Sequence, residues 1–144
     1  DVSERIRLAD ASVGASNVAT IPAVRLKLVE LQRSLAEKTS VIMDGRDIGT
    51  YVLPNAEIKI FLTASVEARA SRRHKELMEK GEKCSLDEVI KDMIARDKQD
   101  SEREFAPLKQ ADDSILVDTT SLNLDESIMA ILKIVEESKL NGTV

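Results

Sequence analysis

The stretch Val41-Ile42-Met43-Asp44-Gly45-Arg46-Asp47-Ile48-Gly49-Thr50 places a short apolar run directly before a polar segment that carries two aspartates and an arginine. The run lies between Ser40 and an Asp-Gly pair, which predicts a strand at 41–43 that is buried on both faces. Ligands of open α/β sheets bind just beyond the carboxyl ends of strands. This edge is therefore a candidate binding site, although a strand leaving through a plain glycine turn would have the same spacing.

Asp44 is a candidate magnesium ligand. It follows the apolar run directly, as does the aspartate that helps to hold magnesium in nucleoside triphosphatases. An apolar run followed by one aspartate is a weak signal by itself. We expect contact with the metal through water.

Composition indicates one globular domain. The chain has 144 residues, of which 42% are hydrophobic and 33% are charged, and these values argue against a fibre, a disordered chain or a membrane protein. The single cysteine, Cys84, cannot form an internal disulfide, so a reducing cytoplasm is expected. The single histidine, His74, lies in a polar helical stretch, and we expect it at the surface.

Charge and aromatic content argue against a polymeric ligand. The net charge is −5, which disfavours nonspecific binding to nucleic acid or to anionic lipid. The aromatic residues are only Tyr51, Phe61 and Phe105, too few to stack successive bases of a single strand. A small phosphorylated ligand fits this composition better.

Apolar periodicity predicts helices that alternate with short strands. Helices are expected at about 23–37, after Pro22, and at about 66–80, capped by Ser65. Two more follow the capping pairs Ser85 with Glu88 and Asn123 with Glu126. Buried strands are expected at 58–62 and 115–117, and Gly14-Ala15-Ser16 is interpreted as a loop. The alternation predicts an α/β fold with a parallel sheet.

A set of polar residues continues the helix that begins after Ser85. Arg96, Asp100 and Arg103 are spaced at i, i+4 and i+7, so on a continuous helix they fall within about 60° of one another. Two guanidinium groups and one carboxylate would then lie together. They would form either a ligand site or a structural ion-pair cluster.

Several motifs along the chain point to one family. They are the quoted Asp44–Thr50 segment, Ser16-Asn17-Val18-Ala19, Val24-Arg25, Lys59-Ile60-Phe61-Leu62-Thr63-Ala64, Arg69-Ala70-Ser71-Arg72-Arg73, Arg96-Asp97 with Asp100 and Arg103, and Ala106-Pro107-Leu108. Together, and in this order, they resemble bacterial cytidylate kinases, which act on CMP and dCMP. The resemblance covers nearly the whole chain. One departure is large, because the family's glycine-rich phosphate loop of the type G-x-x-x-x-G-K-[ST] does not occur here.

The resemblance implies a three-layer, P-loop kinase-type parallel sheet flanked by helices, with a short helical lid. The chain would be a single partial kinase domain at 1–144, without the first strand and the phosphate loop. We assign 1–22 to the end of the substrate-binding region, 23–64 and 105–144 to the core, and 65–104 to the lid and its flanking helices.

The resemblance also implies ATP-dependent phosphorylation of CMP or dCMP to CDP or dCDP, with ATP and Mg²⁺ as cofactors. We expect neither a nucleic acid polymer nor a membrane as partner, a cytoplasmic location, and a monomer when the protein is complete. For these residues alone we expect little activity and a tendency to strand exchange or oligomers.

The same resemblance assigns roles to the polar residues. The substrate-binding set is Ser16, Arg25, Arg46, Asp47, Arg96, Asp100 and Arg103. Within it, Arg25 is expected at the CMP phosphate, Arg96 and Arg103 at phosphate and base, and Asp100 at the ribose. The catalytic set is Arg72, Arg73 and Arg96, with Arg72 and Arg73 reaching the ATP phosphates from the lid.

Arg46 and Asp47 offer a chemical reason for a preference for cytosine. Cytosine presents an amine donor beside two acceptors, whereas uracil presents an acceptor beside a donor. A carboxylate with a guanidinium therefore matches cytosine and opposes uracil. Ser16 and Arg103 would complete this contact.

Two other functions remain open. One is a kinase of the same architecture with another acceptor, such as UMP or shikimate. The other is a non-enzymatic helical module that binds a protein partner. Without the resemblance, Arg25 alone would be interpreted as a solvated arginine.

Overall fold

The computed structural model of the chain describes residues 2–3, 5–7, 9–19 and 21–140. Its helices are α1 (Ala9–Ala19), α2 (Pro22–Ala36), α3 (Val66–Glu79), α4 (Leu86–Glu102) and α5 (Leu124–Leu140). Its strands are β1 (Ile60–Thr63) and β2 (Ile115–Asp118). A 3₁₀ turn at Arg5–Arg7 and a π-helical turn at Ile48–Val52 complete the described elements.

The two strands pair in parallel. Ile60 lies opposite Ile115, and Thr63 lies opposite Asp118. The helices α3 and α4 form the connection between them, as parallel pairing requires a long crossover. The predicted α/β class with parallel strands is therefore confirmed, as a small sheet. Both strands end at the same edge, where the backbone amide of Thr119 donates to the carbonyl of Thr63 at 2.8 Å.

The strand predicted at 41–43 is wrong for this structure. These residues have no strand assignment, and the side chain of Ile42 is fully exposed. Exposure alternates along the segment, because Val41 and Met43 are half-buried. The segment has the side-chain alternation of a strand, but no neighbouring strand in the described part of the chain pairs with its backbone.

The expected burial of the other strands is also only partly met. Val117 is buried, but Leu62 and Leu116 are each 56% exposed. A sheet of two strands cannot cover both of its own faces. Other buried positions are Val52, Ala70 and Val89, which lie on the π-helical turn, α3 and α4.

The loop predicted at Gly14-Ala15-Ser16 is wrong, because α1 continues through it. A glycine inside a helix costs about 1 kcal/mol relative to alanine, which packing can offset. Here α1 contacts α2. Position 14 faces open space, so the glycine is not needed for a close approach.

The predicted helix starts are confirmed. Pro22 opens α2, and the Ser65 hydroxyl accepts from the backbone amide of Ala68 at the start of α3. Ser85 and Glu88 form the complete capping box of α4. Asn123 and Glu126 exchange reciprocal hydrogen bonds of 2.8 and 2.9 Å at the start of α5. These local bonds satisfy amides that a helix leaves free.

The helices α3 and α4 pack on each other as the predicted helical hairpin, and its role as a lid stays a prediction. Gly81 makes the turn with φ of +80°, a conformation that favours glycine. His74 is half-buried rather than exposed, and its Nε2 lies 3.0 Å from the carbonyl oxygen of Cys84. Across the described residues, no helix is long and apolar enough to cross a membrane.

Candidate functional site

An open cleft of about 310 Å³ lies where α1, α2, the segment after Met43 and α4 meet. Most of the predicted substrate-binding residues line it. The polar lining residues are Arg25, Gln32, Asp44, Arg46, Asp47, Arg96, Gln99, Asp100 and Arg103. The structure therefore brings together residues that are spread over nearly eighty positions of sequence.

Asp47 is the buried centre of this cleft. Its side chain is only 4% exposed and accepts a short hydrogen bond from Arg25, which is 12% exposed. The second carboxylate oxygen lies 3.6 Å from Nη2 of Arg103. One carboxylate thus faces guanidinium groups on two sides: it is hydrogen-bonded to Arg25 of α2 and lies at ion-pair distance from Arg103, whose buried Nη2 has no hydrogen-bond partner among the described residues. A charge this buried requires such partners.

The π-helical turn fixes the backbone of Asp47. Its carbonyl oxygen accepts from the amides of Tyr51 at 2.8 Å and Val52 at 3.1 Å. Arg33 on α2 donates to the carbonyls of the same two residues, at 2.7 and 2.9 Å. The turn is therefore attached to α2, the helix that also carries Arg25. Single π-turns often occur at functional sites.

Arg46 points to the other wall of the cleft. Its Nε donates to Asp100 on α4 at 2.8 Å, and Asp100 is 13% exposed. Gly45, just before it, is needed for space, because a Cβ there would lie 2.9 Å from Cγ1 of Ile48. The neighbouring residues Arg46 and Asp47 therefore form ion pairs with residues of different helices, α4 and α2.

The cleft carries an excess of positive charge. Four arginines and three aspartates line it, although the net charge of the chain is −5. Asp47 faces Arg25 and Arg103, and Asp100 holds Arg46. Arg96 is exposed, and no described residue forms a hydrogen bond or ion pair with its side chain. A guanidinium without a carboxylate partner is suited to bind an anion.

Arg103 lies just beyond α4, as its C-cap. Its Nε donates to the carbonyl of Ala106 at 2.6 Å. Ala106 has φ of +50°, in the left-handed region that an alanine rarely adopts, directly before Pro107. Such strain is concentrated at functional sites, where neighbouring contacts maintain it. Here the contact from Arg103 and the bond from the Leu108 amide to the Asp100 carbonyl, 2.8 Å long, hold the turn beside the cleft.

Two predicted site residues, Arg72 and Arg73, lie elsewhere. Arg72 donates to the carbonyls of Thr119 and Leu122, beyond the end of β2, and Arg73 pairs with Glu76 at 2.8 Å. Neither lines the cleft. Ser16 belongs to α1, but its side chain lies outside what the structure describes. Their assigned roles stay predictions.

Sequence reasoning missed Gln32 and Gln99. Gln32 is on α2 and lines the cleft, with a buried Oε1 that has no donor among the described residues. Nε of Arg25 is likewise buried and without an acceptor. The spacing of i and i+7 between Arg25 and Gln32 places them on one helix face, which is the signal that could have found Gln32. A buried polar group without a partner costs about 1–3 kcal/mol, a cost that a bound water or ligand would remove.

Among the ionisable groups of the described residues, Glu76 on α3 has the largest pKa shift. Hydrogen bonds from Lys80 and Arg73 lower the pKa of Glu76 to about 2. Near the amino end of β1, the hydrogen bond from Lys59 lowers the pKa of Asp113. At the carboxyl end of β2, the hydroxyl and amide of Thr120 lower the pKa of Asp118.

Asp44 is the described residue best placed to meet a magnesium ion. It lines the cleft, is exposed, and has no ion pair or hydrogen bond with a described residue. The described residues contain no cluster of three or more His, Cys, Asp or Glu side chains that could hold a metal. One free carboxylate fits magnesium, because this ion keeps several waters and relies on substrate phosphates. Asp44 can therefore supply one carboxylate ligand to such an ion.

Comparison with known proteins agrees with the motifs. The family model described as Cytidylate kinase matches residues 1–137. The chain is 52% identical to a cytidylate kinase of Thermosipho melanesiensis, over 94% of this chain and 63% of that protein. It is 50% identical to one of an Exiguobacterium species, over 96% of the chain and 62% of the relative. A Chromobacterium violaceum cytidylate kinase is 46% identical, over 99% of the chain and 64% of the relative.

The chain belongs to the cytidylate kinase family. It spans a little over three fifths of the length of these relatives. Below, "the full-length protein" means this chain within a protein of the relatives' length.

Proposed function

We propose that the full-length protein transfers the γ-phosphoryl group of ATP to CMP or dCMP, giving CDP or dCDP. The observation that carries this proposal is the cleft itself. It concentrates four arginines in an acidic chain, and among the described residues no carboxylate pairs with the guanidinium of Arg96. Phosphoryl transfer needs an acceptor phosphate held in line and charge neutralised on its oxygens, and fixed guanidinium groups do both.

The contacts support a division of the cleft into two ends. At the base end we place Asp47 with Arg25, because the carboxylate can accept from the cytosine amine while the guanidinium donates to the ring acceptors. At the ribose and phosphate end we place Asp100 with Arg46, beside Arg96, which forms no ion pair with a described residue. In this assignment Arg25 contacts the base and Arg46 lies at the ribose and phosphate end, the reverse of the roles predicted from the sequence. We place Arg103 at the base end as well, because its Nη2 lies 3.6 Å from the carboxylate of Asp47.

The lid arginines belong to the same proposal. In this structure Arg72 donates to carbonyl oxygens and pairs with no carboxylate of a described residue, and Arg73 shares Glu76 with Lys80. Both remain candidates to contact ATP phosphates from α3. When bound, magnesium would neutralise charge on the transferred phosphates and would be held through water by Asp44.

The three-layer P-loop kinase architecture is the fold that we propose for the full-length protein. Val41–Met43 and β1 would each flank a further strand, which would pair the segment that here has no strand partner. We also propose that the full-length protein is monomeric and cytoplasmic. The free thiol of Cys84 supports the location, because free cysteines are typical of reducing compartments.

The deciding experiment is a coupled ADP-release assay of the full-length protein with CMP, dCMP, UMP and shikimate as acceptors. Turnover with CMP or dCMP well above that with UMP and shikimate is expected. A preference for UMP or shikimate would replace the proposal with another kinase of this architecture. Calorimetric titration with CMP is the second arm, since a protein-binding module would release no heat on CMP addition and show no turnover with any acceptor.

A further inference from the structure

Arg69 joins three parts of the fold through one guanidinium group. Its Nε donates to the carbonyl of Ala64, just beyond β1, at 2.9 Å. Its Nη1 and Nη2 donate to the two carboxylate oxygens of Asp97 on α4, at 3.0 and 2.7 Å. Because Arg69 itself lies on α3, these bonds hold both helices of the hairpin to the carboxyl end of β1.

The contact between Arg69 and Asp97 also affects the cleft, because Asp97 lies on α4 between residues that line it. Asp97 does not line the cleft, but its neighbour Arg96 and, one turn later, Asp100 do. In a helix each residue has a fixed rise and rotation relative to the next, so fixing Asp97 also fixes the Cα positions of Arg96 and Asp100. Asp100 is held a second time by Arg46. No described residue forms a hydrogen bond or ion pair with the guanidinium of Arg96, so its placement depends on the helix backbone.

The ion pair of Arg69 and Asp97 is expected to add little to the stability of the fold. The side chains of Arg69 and Asp97 are 33% and 38% exposed, and ion pairs as exposed as this contribute little to stability. A two-pronged arginine contact, however, fixes orientation as well as distance. Small displacements of a group that holds substrate can cost about 100-fold in rate even when they originate away from the chemistry.

We infer that Arg69 is a positioning residue for phosphoryl transfer, which clamps Asp97 so that Arg96 is aimed into the cleft. This inference rests on the proposed function. The clamp lies near the start of α3 and in the second half of α4, opposite the turn at Gly81. The far end of the hairpin can therefore move while the cleft-lining part of α4 stays in place.

The test uses the full-length protein with Arg69→Lys, which keeps the charge but loses the fork, and Asp97→Asn, which keeps the shape but loses the charge. The control is Glu102→Gln, which neutralises a carboxylate of an exposed pair with Lys98 on the same helix. Both clamp variants are expected to lower kcat/KM for CMP roughly 10- to 100-fold. The melting temperature should fall by no more than about 4 °C, and the control should change neither quantity.

A double-mutant cycle separates positioning from a structural role. Arg96→Lys should lower kcat/KM strongly in the unsubstituted protein and much less in the Asp97→Asn background, where Arg96 is already misplaced. Additive effects, or an unchanged kcat/KM in Arg69→Lys, would overturn the inference.

Amide hydrogen exchange of residues 94–102 gives a readout that does not depend on activity. Arg69→Lys should accelerate exchange there without a matching change in β2, and exchange like that of the unsubstituted protein would overturn the inference. If the unsubstituted protein fails to phosphorylate CMP, the proposed function fails, and this exchange measurement still decides whether Arg69 positions α4.

Discussion

Arg25 on α2 donates to Asp47, the residue that precedes the π-helical turn, and both side chains are almost withdrawn from solvent. If this pair reads the base, Asp47→Ala removes the acceptor for the cytosine amine, an acceptor that opposes uracil. A buried unpaired amine costs about 1–3 kcal/mol, so the ratio of kcat/KM for CMP to that for UMP should fall roughly 5- to 150-fold in the full-length protein.

The same substitution leaves Arg25 buried without its carboxylate, so a lower melting temperature is also expected. Asp112→Ala is the matched control, because Asp112 is an exposed aspartate outside the cleft. An unchanged CMP-to-UMP ratio, whatever the loss of stability, would show that Asp47 does not read the base.

The ion pairs of Glu76 on α3 should make stability depend on pH. The pKa of Glu76 is lowered to about 2 by Lys80 and Arg73, so its ion pairs stabilise the fold above the usual glutamate pKa. That contribution is lost as the pH falls from about 4.5 toward about 2. Since the side chain is 48% exposed, Glu76→Gln should cost less than about 1 kcal/mol at pH 7.

Thermal denaturation at several pH values tests this. The difference in melting temperature between the unsubstituted chain and Glu76→Gln should shrink as the pH is lowered through this range. Glu79→Gln is the control on the same helix, since Glu79 forms no ion pair with a described residue. A difference that grows on acidification would contradict the assignment.

Local features of the fold could be predicted because their causes are local. The capping box of Ser85 and Glu88 and the reciprocal pair of Asn123 and Glu126 are fixed by neighbours three residues apart. The strand at 41–43 could not be settled in the same way, because extended residues become a strand only when another strand pairs with them.

The cleft was only partly predictable for a related reason. The family motifs named its arginines and aspartates, but not which of them pair. Arg25 reaches Asp47 across 22 positions and Arg69 reaches Asp97 across 28, and no local pattern specifies such contacts. The neighbouring residues Arg46 and Asp47 therefore looked like one unit, whereas the fold directs them to different partners.

A polypeptide of these 144 residues alone should be essentially inactive as a kinase. It has no G-x-x-x-x-G-K-[ST] segment to hold ATP phosphates, and its segment 41–43 offers unpaired backbone with Ile42 fully exposed. Oligomers are expected by light scattering. CMP turnover at the level of an intact kinase, by a preparation whose intact mass matches these residues only, would disprove this prediction.

Arg96 is the residue for which binding and structural roles predict opposite results. Arg96→Lys keeps a positive charge in the cleft but loses the planar fork that can donate to two phosphate oxygens. Loss of one charge-assisted hydrogen bond, about 1.5–3 kcal/mol, should lower kcat/KM for CMP roughly 10- to 150-fold in the full-length protein. The melting temperature should hardly change, because no described residue pairs with this side chain.

Lys91→Gln on the exposed part of the same helix serves as the control for charge on α4. If the substitution instead lowers the melting temperature and leaves kcat/KM intact, Arg96 is a structural residue and the phosphate end of the cleft must be assigned anew.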